Sequence, residues 1–218
     1  MSKLSLNKPL LILLYGFPGS GKSYFAKQFS ESLGAVHLYD DKIRSNLFSN
    51  PRYSKEENEV VAHIMDFMTG EFLKGDTTVI YDKDTSRNTE RKAAKTLTDS
   101  THAKSLVIWL QIDTESAFAR LRNRDRRKQQ DKIARPYTRS EFDDYLKNMQ
   151  NPISENYVVI SGKHSFQTQK NSVIKKLYEM GYVSTENVVE ANVAMPGLIN
   201  LVPKLQSSPQ APRNIVIR

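Results

Sequence analysis

Residues 16–23 read Gly-Phe-Pro-Gly-Ser-Gly-Lys-Ser, a spacing of small residues that ends in an ammonium and a hydroxyl. Glycine reaches the backbone angles needed to turn consecutive N–H groups toward a bound anion. Gly16, Pro18, Gly19, Ser20 and Gly21 are therefore expected to cradle the phosphates of a nucleotide, with Tyr24 beside them. Lys22 is placed to neutralise the β- and γ-phosphates, and Ser23 to offer its hydroxyl to Mg²⁺. The pattern is the complete G-x-x-x-x-G-K-[ST] phosphate-binding loop, and such a loop has meaning only between a strand and a helix. That context is present. The apolar run Leu10–Leu14 precedes it, and Tyr24–Phe29 follow with helical spacing. The nucleotide is read as ATP, since no guanine-reading N-K-x-D segment is evident.

Two acidic segments stand where a phosphoryl acceptor and a metal would need them. In Asp40-Asp41-Lys42-Ile43-Arg44, Asp41 fits the group that orients an attacking hydroxyl and takes its proton. Arg44, one helical turn on, can hold an acceptor phosphate or Asp41 itself. The plainer alternative is that Asp40 or Asp41 caps the next helix. Farther on, Asp82 ends the run Val79-Ile80-Tyr81 and is the candidate to hold Mg²⁺ through water. Asp84 is expected to shape the loop. A hydrophobic strand followed by D-x-D also fits the nucleophile of a haloacid-dehalogenase-type phosphatase, but that fold needs a second sheet for which the chain has no room.

The net charge of +8 is concentrated between Arg120 and Arg139, where seven arginines and two lysines meet only two aspartates up to that point. A charge run is commonly a solvated helix face. Here it falls after the fourth strand, where a lid of about 120–139 would bring arginines to the transferring group. Arg126 is assigned as the arginine of the transition state. Arg122, at i, i+4 spacing on one helix face, is assigned as its support at the nucleotide.

These groups need a scaffold, and the periodicity supplies one. Strand-like runs are read at Leu10–Leu14, Val36–Tyr39, Thr78–Tyr81, Leu106–Ile112 and Tyr157–Ser161. Helices are read at roughly 21–33, 55–73, 88–99, 114–128, 138–149 and 166–180. Strands rich in Val, Ile and Leu that alternate with helices predict an α/β fold of the P-loop NTPase type. Its open, parallel, five-stranded sheet carries helices on both faces and an Arg-rich lid. Residues 1–183 form the expected domain. Residues 184–218, interrupted by Pro196, Pro203, Pro209 and Pro212, read as a tail whose Asn214–Arg218 end could add as an edge strand. The chain has no cysteine, which excludes disulfides and thiolate metal sites. Leu10–Leu14 is too short to span a bilayer. A cytoplasmic protein without a membrane partner is expected; the sequence gives no oligomeric state.

Taken in order, GFPGSGKS at 16–23, DKIR at 41–44, DTSRNTER at 84–91 and RNRDR at 122–126 resemble the polynucleotide-kinase-like branch of P-loop kinases, which includes zeta toxins. NYVVISGKHSFQTQ at 156–169 looks like that family's last strand and helix. The resemblance covers roughly 10–180. It implies an ATP- and Mg²⁺-dependent kinase with Asp41 as general base, Arg44 at the acceptor and Arg126 in the lid. The hydroxyl acceptor would be a nucleic-acid 5′-end or a small metabolite. Where the family often has asparagine after the third strand, this chain has Asp84-Thr85-Ser86. The alternative class is a nucleotide-dependent switch that presents its tail to a partner without transfer chemistry.

Overall fold

The computed structural model describes residues 4–125, 127, 132–185 and 188. The elements in chain order are β1 Leu10–Tyr15, α1 Lys22–Leu33, β2 Val36–Tyr39, α2 Asp40–Leu47, α3 Lys55–Lys74 and β3 Val79–Asp82. They continue with α4 Asn88–Thr96, β4 Lys104–Gln111, α5 Thr114–Arg122, α6 Arg139–Asn148, β5 Tyr157–Ser161 and α7 Phe166–Glu179. The strands pair in parallel in the order β2-β3-β1-β4-β5. β1 reads Leu-Leu-Ile-Leu-Leu-Tyr with every residue buried, because a central parallel strand is covered on both faces. Its side chains alternate. Leu10, Ile12 and Leu14 pack with Phe25 and Phe29 of α1 and Val173 and Leu177 of α7. Leu11, Leu13 and Tyr15 pack on the other face with Val61, Met65 and Leu73 of α3 and Ala94 of α4.

This is the expected open α/β sheet, with corrections at element ends. Residues 40–47 form a helix, α2, that the periodicity did not mark, because only eight residues carry it. α5 ends at Arg122, with Asn123 donating its N–H to Ala119 as the C-cap. The helical spacing assumed between Arg122 and Arg126 therefore does not hold, and Arg126 itself lies outside the described residues. At the other end, Val188 is fully buried in the α1–α7 core beside Tyr182 and Val183, so packed structure continues past residue 183. The rest of the expected tail, 186–187 and 189–218, lies outside the described residues. Among the described residues no helix is long and apolar enough to cross a membrane.

A parallel sheet brings the carboxyl ends of all its strands to one edge. Gly16, Asp40, Asp82, Ile112 and Gly162 follow or end the five strands. In such sheets that edge is where ligands sit.

Candidate active site

The loop after β1 is shaped by what side chains would collide with. Gly16 has φ +146° and Gly19 φ +83°. A Cβ on Gly16 would stand 2.5 Å from the Leu110 carbonyl oxygen, and one on Gly19 would stand 2.2 Å from that of Ala117. Neighbouring β4 and α5 thus press the loop into a turn that only glycine adopts. Gly21, also left-handed, is the N-cap of α1 and contributes no side-chain cap. The first N–H groups of α1 are left for a ligand, at the positive end of the helix dipole. Lys22 Nζ donates to the carbonyls of Gly16 at 2.8 Å and Phe17 at 2.9 Å. An ammonium has three donors, so one remains. Burial pushes Lys22 below the ordinary lysine range, and the carboxylates of Asp82, Asp84 and Asp40 oppose that shift. Ser20 Oγ is buried without a partner.

Facing Lys22 across one cavity of about 580 Å³ are Asp40, Asp41, Arg44 and Asp82, a size that fits small ligands. Tyr39, not an aspartate, is the N-cap of α2, and Asp40 and Asp41 occupy its first turn. Neither aspartate is thus the N-cap residue, although Asp40 still serves a first-turn N–H. Asp40 Oδ1 accepts the Asp41 N–H at 2.6 Å. Burial raises Asp40 well above the usual carboxylate range, helped by the charges of Asp41 and Asp82. Asp41 is also raised by burial. It is moderated by the hydrogen bonds it accepts on Oδ2 from the Arg135 N–H and the Tyr39 hydroxyl, both at 3.1 Å. Asp82 is buried at the end of β3, 3.0 Å from His37 Nε2. Ser23 and Asp82 line the cavity as oxygen donors that suit Mg²⁺. No group of three or more His, Cys, Asp or Glu side chains among the described residues could hold a metal ion. Mg²⁺ held by one or two protein oxygens completes its octahedron with phosphates and water, so the residues present fit that ion. Asp84 accepts from the Ser86 N–H and the Tyr145 hydroxyl, the loop-shaping part expected of it.

The cationic wall differs most from expectation. Arg120 and Arg124 line the cavity, and Arg120 Nη1 donates to the Gly162 carbonyl at 3.0 Å. Arg122 is exposed and does not line it; on a helix it points about 200° away from Arg120. Arg44 lines the cavity but is tied to α3, with Nη2 donating to Asn58 Oδ1 at 2.6 Å and Nη1 to Glu57 Oε2 at 3.3 Å. It makes no hydrogen bond to Asp41. Tyr24, at the mouth, is 64% exposed and lines the cavity with Pro18. Tyr53, Arg135 and Tyr137 also line it. The sequence signal for this wall is Tyr137 set between Arg135 and Arg139, and no pattern marks Tyr53.

A family model described as an AAA domain matches residues 11–152. No curated protein matches the chain. Among solved structures, Kti12 of Chaetomium thermophilum in complex with ADP-AlF₃ superposes with a TM-score of 0.62 at 18% identity, covering 80% of this chain and 99% of that one. The APS kinase of Mycobacterium tuberculosis, solved with AMPPNP and APS, gives 0.60 at 15%, covering 78% and 98%. A gluconokinase of Sinorhizobium meliloti gives 0.55 at 15%, covering 84% and 97%. At these identities the likeness shows a shared fold, the open parallel α/β sheet of the P-loop NTPase type.

Proposed function

The chain belongs to the AAA-domain family, and from that premise we propose that it is an ATP-dependent phosphotransferase acting on the hydroxyl of a small molecule. One observation carries the reading: Lys22 of the phosphate loop and Asp41 of α2 line the same cavity. In this reading the loop N–H groups and Lys22 grip the triphosphate. Ser23 and Asp82 hold Mg²⁺, which when bound neutralises charge on the phosphates. Asp41 orients the acceptor hydroxyl and takes its proton, and its burial-raised pKa suits that exchange. Arg120 and Arg124 steady charge on the transferring group, while Arg126 keeps such a role through the resemblance alone. That resemblance also favours the polynucleotide-kinase-like and zeta-toxin-like branch. A small acceptor is preferred to a nucleic-acid strand here because Asp41 lines a cavity of about 580 Å³, a size that suits small ligands.

The test is transfer of labelled γ-phosphate from Mg·ATP to a panel of sugars, hydroxy acids, nucleosides and 5′-hydroxyl oligonucleotides. Asp41→Asn is expected to lower transfer by about 10²–10⁴-fold, the usual share of a positioned base, with ATP affinity nearly unchanged. Full transfer by that variant would remove Asp41 from the reaction. ATP binding with no transfer to any acceptor, in the native chain as in the variant, would leave the nucleotide switch.

A further inference from the structure

The cavity has a second end, away from the phosphate loop, built around one unusual tyrosine. Tyr53 has φ +55°, a left-handed conformation that is an outlier for a bulky side chain. Glu57 holds it there: its Oε2 accepts the Tyr53 N–H at 2.8 Å and the Arg52 N–H at 2.9 Å. The turn brings the ring within cation–π reach of two guanidinium groups. Arg44 lies 4.7 Å from its centroid and Arg135 lies 5.2 Å from it. Arg135 is also 4.9 Å from the centroid of Tyr137. Two rings within cation–π reach hold a planar guanidinium without using its N–H groups, which lie at its rim.

Those N–H groups are underused. The carboxylate paired with Arg135, Glu141, is 3.8 Å from its Nη2, beyond hydrogen-bond reach. Arg44 Nε is buried with no partner. A buried cationic donor without an acceptor is costly, as at Arg44 Nε. The Arg135 side chain is 38% exposed, and an oxyanion would take the place of its water with the strongest kind of hydrogen bond. The main chain of Arg135 meanwhile reaches the candidate base, its N–H on Asp41 Oδ2 at 3.1 Å, and Arg124 Nη1 braces its carbonyl at 2.8 Å. One residue therefore joins the point where a hydroxyl would react to the point where a charge would bind.

We propose that Arg135, clamped by Tyr53 and Tyr137, selects the acceptor, and that the acceptor is a small hydroxyl compound carrying a carboxylate or phosphate. The assignment rests on the phosphotransferase reading above, because it needs Asp41 to face a hydroxyl. Arg135 is a specificity residue here; the proton moves at Asp41.

The experiment is calorimetric titration of the full chain, first saturated with Mg·AMPPNP so that the phosphate loop is filled and cannot take the added anion. The probes are matched sets: glycerol, glycerate and glycerol 3-phosphate, then ribose, ribonate and ribose 5-phosphate. A charged member should bind more tightly than its neutral partner by about tenfold or more, the usual worth of a hydrogen bond to a charged group. Arg135→Ala should erase that difference with AMPPNP affinity unchanged. Arg135→Lys should restore only part of it, lacking the planar fork. Tyr53→Ala should weaken it through loss of the clamp. Neutral and charged members binding alike in the native chain, or Arg135→Ala leaving the preference intact, would overturn the proposal. A preference for charge without phosphoryl transfer to any acceptor would sink the phosphotransferase reading while keeping the anion site.

Discussion

The two ends of the cavity are made of different material. At the phosphate end the groups on offer are mainly main chain, from residues 16–23 and the start of α1, with the Lys22 and Ser23 side chains at its close. At the acceptor end they come from side chains of α2, of residue 53, of the start of α3 and of the stretch around 135. A main-chain cradle is fixed by steric exclusion and has little to vary. A side-chain wall can be changed one residue at a time. The comparison teaches that nucleotide grip should fail abruptly under substitution, whereas acceptor selection should shift by degrees.

The largest expected effect falls on the grip. Gly19→Ala puts a Cβ 2.2 Å from the Ala117 oxygen and 3.1 Å from Leu121 Cγ, at φ +83°. Backbone oxygen cannot step aside as a flexible side chain can. Overpacking of this kind costs about 1–3 kcal/mol, and the left-handed angle adds roughly 1–2 kcal/mol. If that cost falls on the nucleotide-binding form of the loop, ATP affinity measured by calorimetry should fall at least about thirtyfold. Nucleotide binding within a few-fold of the native chain would show that the cradle is more yielding than the comparison holds.

This division also explains what could be read before the fold was known. The phosphate loop and β1 are local: Leu10–Tyr15 is buried throughout, and the glycine spacing is contiguous, so both were legible. The placing of Asp41 and Asp82 at the cavity was legible because ligands sit beyond strand ends in parallel sheets. Arg135 was not, because it meets Asp41 across 94 residues of chain. Tyr53 was not, because its angle depends on Glu57 accepting two N–H groups in a turn without periodicity. α5 was read too long, since arginine and lysine favour helix and nothing before Asn123 marks its end. Carried on to residue 128, the helix pairs Arg122 with Arg126; among the described residues Arg120 and Arg124 are the arginines of that stretch that line the cavity.

A middle-sized effect concerns the carboxylates between the two ends. Asp40 is held well above its ordinary pKa by burial, then by Asp41 and Asp82. A carboxyl raised in the folded state binds protons more tightly there than in the unfolded chain. Its contribution to stability is full below the ordinary carboxylate range and is lost as pH rises through the raised value. Asp40→Asn stays neutral and still offers an oxygen to the Asp41 N–H. Lys22 loses only a minor partner, since Asp82 and Asp84 stand ahead of Asp40 in its surroundings. The variant should match the native chain near pH 4 and exceed it near pH 8. Relief of about 1 kcal/mol would raise the midpoint by about 2–4 °C in a chain of this size. Thermal scans across that range check it, and a gap that is largest at acid pH would reverse the assignment.

The smallest effect separates a strained residue that works from one that only ends a helix. Asp76 and Tyr53 share φ +55° and are the non-glycine residues with positive φ among those described. Asp76 is exposed just after α3, where its N–H and that of Thr77 bond back to Leu73 and Phe72. Glycine is the usual residue at such a helix end. Asp76→Gly should therefore stabilise the chain by about 0.5–1 kcal/mol, a gain of order 2 °C, with both ends of the cavity unaffected. Tyr53→Gly relieves the same angle but removes the ring between Arg44 and Arg135. Its stability should change by less than about 1 kcal/mol, because relief and lost stacking oppose each other. Its acceptor KM should rise while ATP affinity holds. The two glycines thus make the same backbone repair, and the difference between them isolates what the tyrosine ring does. If Tyr53→Gly behaves like Asp76→Gly in both stability and acceptor KM, the left-handed turn at residue 53 only connects α2 to α3.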